Sequence, residues 1–173
     1  MTKTIYTILF TLSIVLINPI GSSRGEIWTQ PKCAAIALIL ALNLYQLWQH
    51  RQTLQIPKSF SIARHLWELY LLIGLISTLL SPFPLHSLFG QDQMGDGFLY
   101  WILIATFTLS NTLLLTQRPQ LLRSQLHGFL IGGTINALAT FPQLLNWRID
   151  YTATSGKLLL DNVLASTIFT INL

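Results

Sequence analysis

The sequence predicts an all-α fold, a polytopic transmembrane helical bundle, and three observations carry that prediction. Charge is scarce, apolar residues gather into runs of membrane-crossing length, and each run ends on charge, proline or glycine. Of the 173 residues, 51% are hydrophobic and 9% charged, whereas a soluble domain carries roughly 25% charged residues. Mean hydropathy is +0.54. So little polar surface does not clothe a water-soluble core, and about 20 apolar residues suffice for one helical crossing.

The first run extends from Thr4 to Ile20 behind Lys3. A basic start and an apolar stretch also describe a signal peptide. The following Asn18-Pro19-Ile20-Gly21-Ser22-Ser23 lacks the small-residue pattern of a cleavage site, so the run is read as a retained helix. Further runs occupy Cys33 to Trp48, Ile62 to Leu80, Phe98 to Thr116 and Gln125 to Leu145, giving five complete spans. A sixth begins near Leu158 and is still apolar at Leu173. Spans usually close on polar or basic residues, so a truncated sixth span is expected, with residues 1–173 a single transmembrane region at the N-terminal end of a longer protein.

Lysine and arginine set the direction. Lys3, Arg51, Lys58, Arg64, Arg118 and Arg123 occupy alternate flanks with no acidic residue among them. The opposite flanks hold Arg24, Glu26, Lys32, Asp92, Asp96, Arg148, Asp150 and Lys157, four basic and four acidic residues. The first set belongs on the cytoplasmic side, which predicts a multi-pass protein of the cell inner (plasma) membrane with its N-terminus inside. Trp28, Trp48, Trp101 and Trp147 fall at or near span ends, where an indole bridges tail and headgroup. The net charge of +4 is spread over short loops, which favours membrane lipids over nucleic acid as partners. Cys33 stands alone, so an intrachain disulfide is excluded, and its reading is a small packing residue.

Candidate chemistry lies mainly in Ser81 to Gly97, read as a compact extracytoplasmic loop. Pro82 and Pro84 disfavour helix in the residues before them, and Gly90, Gly95 and Gly97 permit turns. His86, Asp92 and Asp96 are its titratable groups. They supply a base or substrate contacts, a cluster able to bind a cation, or simply a solvated polar surface. Glu68, one turn into the third run, is an intramembrane carboxylate or a partner for Arg64 four residues earlier. His65 and His127 read as interfacial. Asp161 and Asn162 open the sixth run, where short polar residues complement free helix amides, and Asn162 is also a substrate-binding candidate. Gly128 and Gly132 form a G-x-x-x-G pair, extended by Gly133 and Ala137, which lets another helix approach closely, from this chain or another. Asn111 and Asn136 are suited to hydrogen bonds between helices. Phosphate-binding, dinucleotide, zinc-protease and nucleophile-elbow motifs do not occur, and neither a metal nor a cofactor is predicted.

The outer segment carries a family resemblance. Ser77-Thr78-Leu79-Leu80-Ser81-Pro82, then Ser87-Leu88-Phe89-Gly90, then Gly97 opening an aromatic helix, resembles the N-terminal portion of the O-antigen ligase-like family of multi-span bacterial membrane proteins, which includes cyanobacterial members. Gly156 followed by Asp161-Asn162-Val163-Leu164-Ala165 is similar to that family's later loop and helix entry. Between Gly90 and Gly97 the family often carries an aromatic residue and an arginine, where this chain has Gln91 to Asp96. The resemblance implies a glycosyltransferase of lipopolysaccharide biosynthesis, moving glycan from a polyprenyl-diphosphate carrier on the extracytoplasmic side, without metal or nucleotide sugar. It also implies that the catalytic groups lie in later segments, leaving residues 1–173 inactive alone. A transporter or transport-associated subunit for inorganic carbon or another small solute, and a non-catalytic membrane structural protein, are the alternatives.

Overall fold

A computed structural model describes residues 2–18, 20, 25–54, 56–90 and 97–144. Helix α1 covers Thr2–Val15, and a π-helical turn at Gly25–Thr29 leads into α2, Gln30–Gln49. After a 3-10 turn at Arg51–Thr53 come α3 (Lys58–Leu79), a short α4 (Pro84–Phe89), α5 (Phe98–Gln117) and α6 (Gln120–Leu144). The described residues contain no strand.

The first apolar run stops being helical earlier than the sequence suggests. Pro19 disfavours the helical region for Asn18, and the Asn18 amide leaves the helix to donate to the Ile27 carbonyl at 2.9 Å. At 14 residues, α1 is about 21 Å long, short of the hydrocarbon thickness of about 30 Å. Among the described residues three helical segments are long and apolar enough to cross a membrane, Glu26–Gln49, Phe60–Leu79 and Phe98–Gln117. At 25 residues α6 has the length, but Arg123, Gln125, His127 and its glycines make it less apolar.

Direction alternates along the chain. Contacts at increasing positions pair Thr7 with Ser124 and Thr11 with Gly128, so α1 and α6 run parallel. Asn43 meets Ser110 and Gln46 meets Arg118, so α2 and α5 also run parallel. Helices α1, α2, α5 and α6 enclose a core of Tyr6, Phe10, Ile39, Leu47, Leu114 and Leu121. The Phe10 ring lies 5.0 Å from Phe129, edge-on, and 6.1 Å from Phe107.

Helix α3 stands outside this group, against α5 and α4. Only 6% of its apolar window is buried, and Ile62, Leu66, Leu69, Leu72, Ile73, Ile76 and Leu79 are all exposed. Soluble proteins rarely expose a contiguous apolar face of this extent. Hydrocarbon is the solvent that matches it, because aliphatic side chains lose nothing there and the helix satisfies its own backbone.

Candidate functional site

The sequence-predicted outer segment folds into a definite shape. Pro84 sits in the first turn of α4, where its missing amide hydrogen is no loss, so a segment read as a loop contains a short helix. The Ser81 hydroxyl accepts from the Phe83 amide at 3.2 Å and from the Ser87 hydroxyl at 2.8 Å, tying entry to helix. Gly90 ends α4 at φ 85°, the left-handed region that favours glycine. A side chain at Gly97, which precedes α5, would collide with the backbone of Phe89 and Gly90. The two glycines thus hold the end of α4 against the start of α5.

His86 is exposed on α4, with its ring 6.4 Å from Phe83. Asp92, Asp96 and Asn162 lie outside the described residues, as do Asp161 and the sixth run, so no geometry joins them to His86. Among the described residues no three His, Cys, Asp or Glu side chains come together as metal ligands. Glu68 pairs with Arg64 at 3.1 Å, both side chains about half exposed, an arrangement worth about 0.3–0.5 kcal/mol. His65 and His127 are exposed.

Gly128 and Gly132 face α1. A Cβ on Gly128 would sit 2.6 Å from Phe10 Cβ and 2.7 Å from the Thr7 carbonyl oxygen, and one on Gly132 would sit 3.0 Å from the Ile14 side chain. Among the described residues Gly133 meets nothing within 4 Å. The close approach is laced by two hydroxyls, Thr7 donating to the Ser124 carbonyl at 3.1 Å and Thr11 to the Gly128 carbonyl at 3.2 Å.

Sequence reasoning missed most of a polar cluster inside the bundle. Tyr6, fully buried, donates to Asn43 Oδ1 at 2.6 Å. Asn43 Nδ2 reaches Ser110 Oγ at 3.5 Å and Asn111 Oδ1 at 3.4 Å. Asn111 and Gln125 exchange amide bonds of 3.1 and 2.7 Å. Four helices are therefore joined by neutral groups that satisfy one another, which a low-dielectric interior demands. Nearer the helix ends, Arg118 donates to Gln46 Oε1 at 2.9 Å and to His50 Nε2 at 2.7 Å. An arginine only donates, so Nε2 is the unprotonated nitrogen, and Nδ1 carries the hydrogen toward the Gln46 carbonyl at 3.0 Å. The available signal was the spacing of Asn43, Gln46 and His50, at intervals of three and four, which puts three polar groups on one face of an otherwise apolar helix.

A cavity of about 530 Å³ opens at the other end of the bundle, lined by Ser13, Trp28, Lys32, Cys33 and Tyr100. Lys32 Nζ lies 5.6 Å from the Trp28 ring centroid. No known family model matches the chain, and no curated protein or solved structure matches it.

Proposed function

We propose that this chain is the N-terminal portion of an O-antigen ligase-like membrane protein that transfers glycan from a polyprenyl-diphosphate carrier on the extracytoplasmic side. In this reading α1, too short alone, crosses together with the residues that follow it to Ile20; α2, α3, α5 and α6 are four further spans, residues 158–173 begin a sixth, the N-terminus is cytoplasmic, and α4 lies outside the plasma membrane. One observation carries it. Gly90 and Gly97, which belong to the motif behind the resemblance, are also positions where, among the described residues, the backbone of the outer segment demands glycine. His86 on α4, with Asp92, Asp96 and Asn162, supplies contacts to the polar part of the substrate. Arginines that neutralise the diphosphate and the base that activates the acceptor hydroxyl belong to segments beyond these residues.

The buried amide cluster favours a second reading, a transport-associated subunit, because polar groups inside membrane helices often mark solute paths. Deleting the gene separates the two. Loss of surface glycan with accumulation of its polyprenyl-diphosphate precursor is expected for transfer, and loss of solute uptake with normal glycan for transport. Unchanged glycan and precursor levels would overturn the transfer reading. Direction is checked in a Cys33→Ser background, where Ser87→Cys should react with an impermeant maleimide from outside intact cells and Gln52→Cys only after permeabilisation.

A further inference from the structure

Among the described residues no carboxylate compensates the charge of the Arg118 cluster. Helix alternation collects Lys3, Arg51, Lys58, Arg64, Arg118 and Arg123 at one end of the bundle; among the described residues Glu68 is the acidic side chain of that end, and it is engaged by Arg64. Arg118 has two neutral partners, Gln46 and His50, and among the described residues no carboxylate pairs with it. Both partners come from α2, so the guanidinium is aimed by one helix while carried by the end of another. Among the described residues two of its five N–H groups are taken, and three remain. Beside it lies a cavity of about 140 Å³ whose walls are Leu47, Leu54 and Leu114 on one hand and Gln46, His50 and Gln117 on the other. Arg51, next to His50 in the chain, is turned over the Trp48 ring at 5.3 Å, adding positive potential without lining the cavity.

A planar cation held by neutral acceptors, with free donors at a half-apolar cavity at the end of a lipid-facing bundle, suits an oxyanion attached to an apolar body. We propose that Arg118, Gln46 and His50 form a binding site for the phosphate of an anionic phospholipid headgroup at this face of the membrane. The guanidinium fork takes two phosphate oxygens, and the leucine wall receives the first carbons of the lipid. The lipid supplies a counter-charge to the guanidinium and clamps α2 to α5.

The test uses the 173-residue chain purified in a neutral detergent, with thermal unfolding followed on addition of dioleoyl phosphatidylglycerol, dioleoyl phosphatidylcholine or inorganic phosphate, each variant compared with its own lipid-free midpoint. Phosphatidylglycerol should raise the midpoint saturably and phosphatidylcholine much less. Arg118→Gln should weaken the apparent affinity about tenfold, the worth of a charge-assisted hydrogen bond, while Arg123→Gln should keep it. Gln117→Glu retains Arg118 and places a carboxylate in the cavity, so it should abolish the lipid response even if Arg118→Gln does not fold. An equal response to phosphatidylcholine, an equal response to inorganic phosphate, or an unaltered phosphatidylglycerol response in Gln117→Glu would each overturn the assignment.

Discussion

Replacing Gly128 with alanine adds one methyl group to the tightest helix contact in the bundle. The new Cβ falls 2.6 Å from Phe10 Cβ and 2.7 Å from the Thr7 carbonyl oxygen, where ordinary contact begins at 3.4 Å. Neither obstacle is the far end of a flexible side chain, since one is a backbone atom and the other is fixed to the backbone. Helix α1 must retreat by roughly 0.8 Å, and packed interiors yield little at that scale. Overpacking of this kind costs about 1–3 kcal/mol. Retreat also stretches the Thr11 bond to the Gly128 carbonyl, already 3.2 Å, and bonds between membrane helices average about 0.6 kcal/mol. Against these stands the gain of about 1 kcal/mol that alanine brings over glycine within a helix. The net expectation for Gly128→Ala is a loss of up to about 2.5 kcal/mol, centred near 1.5 kcal/mol. Among the described residues Gly132→Ala meets Ile14 Cβ, which is fixed to the backbone, and Ile14 Cδ1, which rotates, both at 3.0 Å; the retreat needed is about half that at Gly128, so the loss there should be under about 1 kcal/mol. Gly133→Ala enters open space and should be neutral or slightly stabilising. Reversible unfolding in mixed micelles by sodium dodecyl sulfate measures all three. A Gly133→Ala loss equal to that of Gly128→Ala, or no loss at Gly128, would refute the parallel α1/α6 contact.

Other substitutions probe the remaining features. Asn43→Ala strands the buried Tyr6 hydroxyl and should cost about 1–3 kcal/mol, whereas Tyr6→Phe with Asn43→Ala should cost less than the two singles together by about 1 kcal/mol; strict additivity in the same unfolding assay would show that the pair is not coupled. Arg64→Gln breaks an exposed ion pair and should shift stability by no more than about 0.5 kcal/mol, so a larger loss would mean that Glu68 is more deeply placed than its exposure indicates. Gly97→Ala should disrupt the seat of α4, seen as faster amide exchange at Ser87 to Gly90 with little change in the bundle, and unaltered exchange there would contradict the contact.

The two glycine sites and the polar cluster illustrate what is local and what is not. The pair Gly128 and Gly132 was visible because four-residue spacing alone puts small residues on one helical face. That the face meets α1, more than a hundred residues earlier in the chain, depends on which helices become neighbours, and no periodicity encodes that. Asn111 was recognised as a polar group in an apolar run, yet its partners Gln125 and Asn43 arrive from two other helices. Arg118 was read only as a charge that orients the chain, because its fixed place between Gln46 and His50 exists only when α2 and α5 run side by side.

The bilayer character, by contrast, belongs to the sequence. Scarcity of charge and runs of aliphatic residues are additive properties, since each residue's preference for hydrocarbon is nearly independent of its neighbours, and the exposed face of α3 expresses it directly. The start of α4 at Pro84 and the end of α1 before Pro19 are likewise settled by local backbone chemistry. The tertiary structure decided the parallel pairing of α1 with α6 and of α2 with α5. Inside a membrane the hydrophobic effect gives no preference among apolar faces, so close packing at glycine and hydrogen bonds between scattered polar groups select the partners, and both depend on surfaces brought together only by folding.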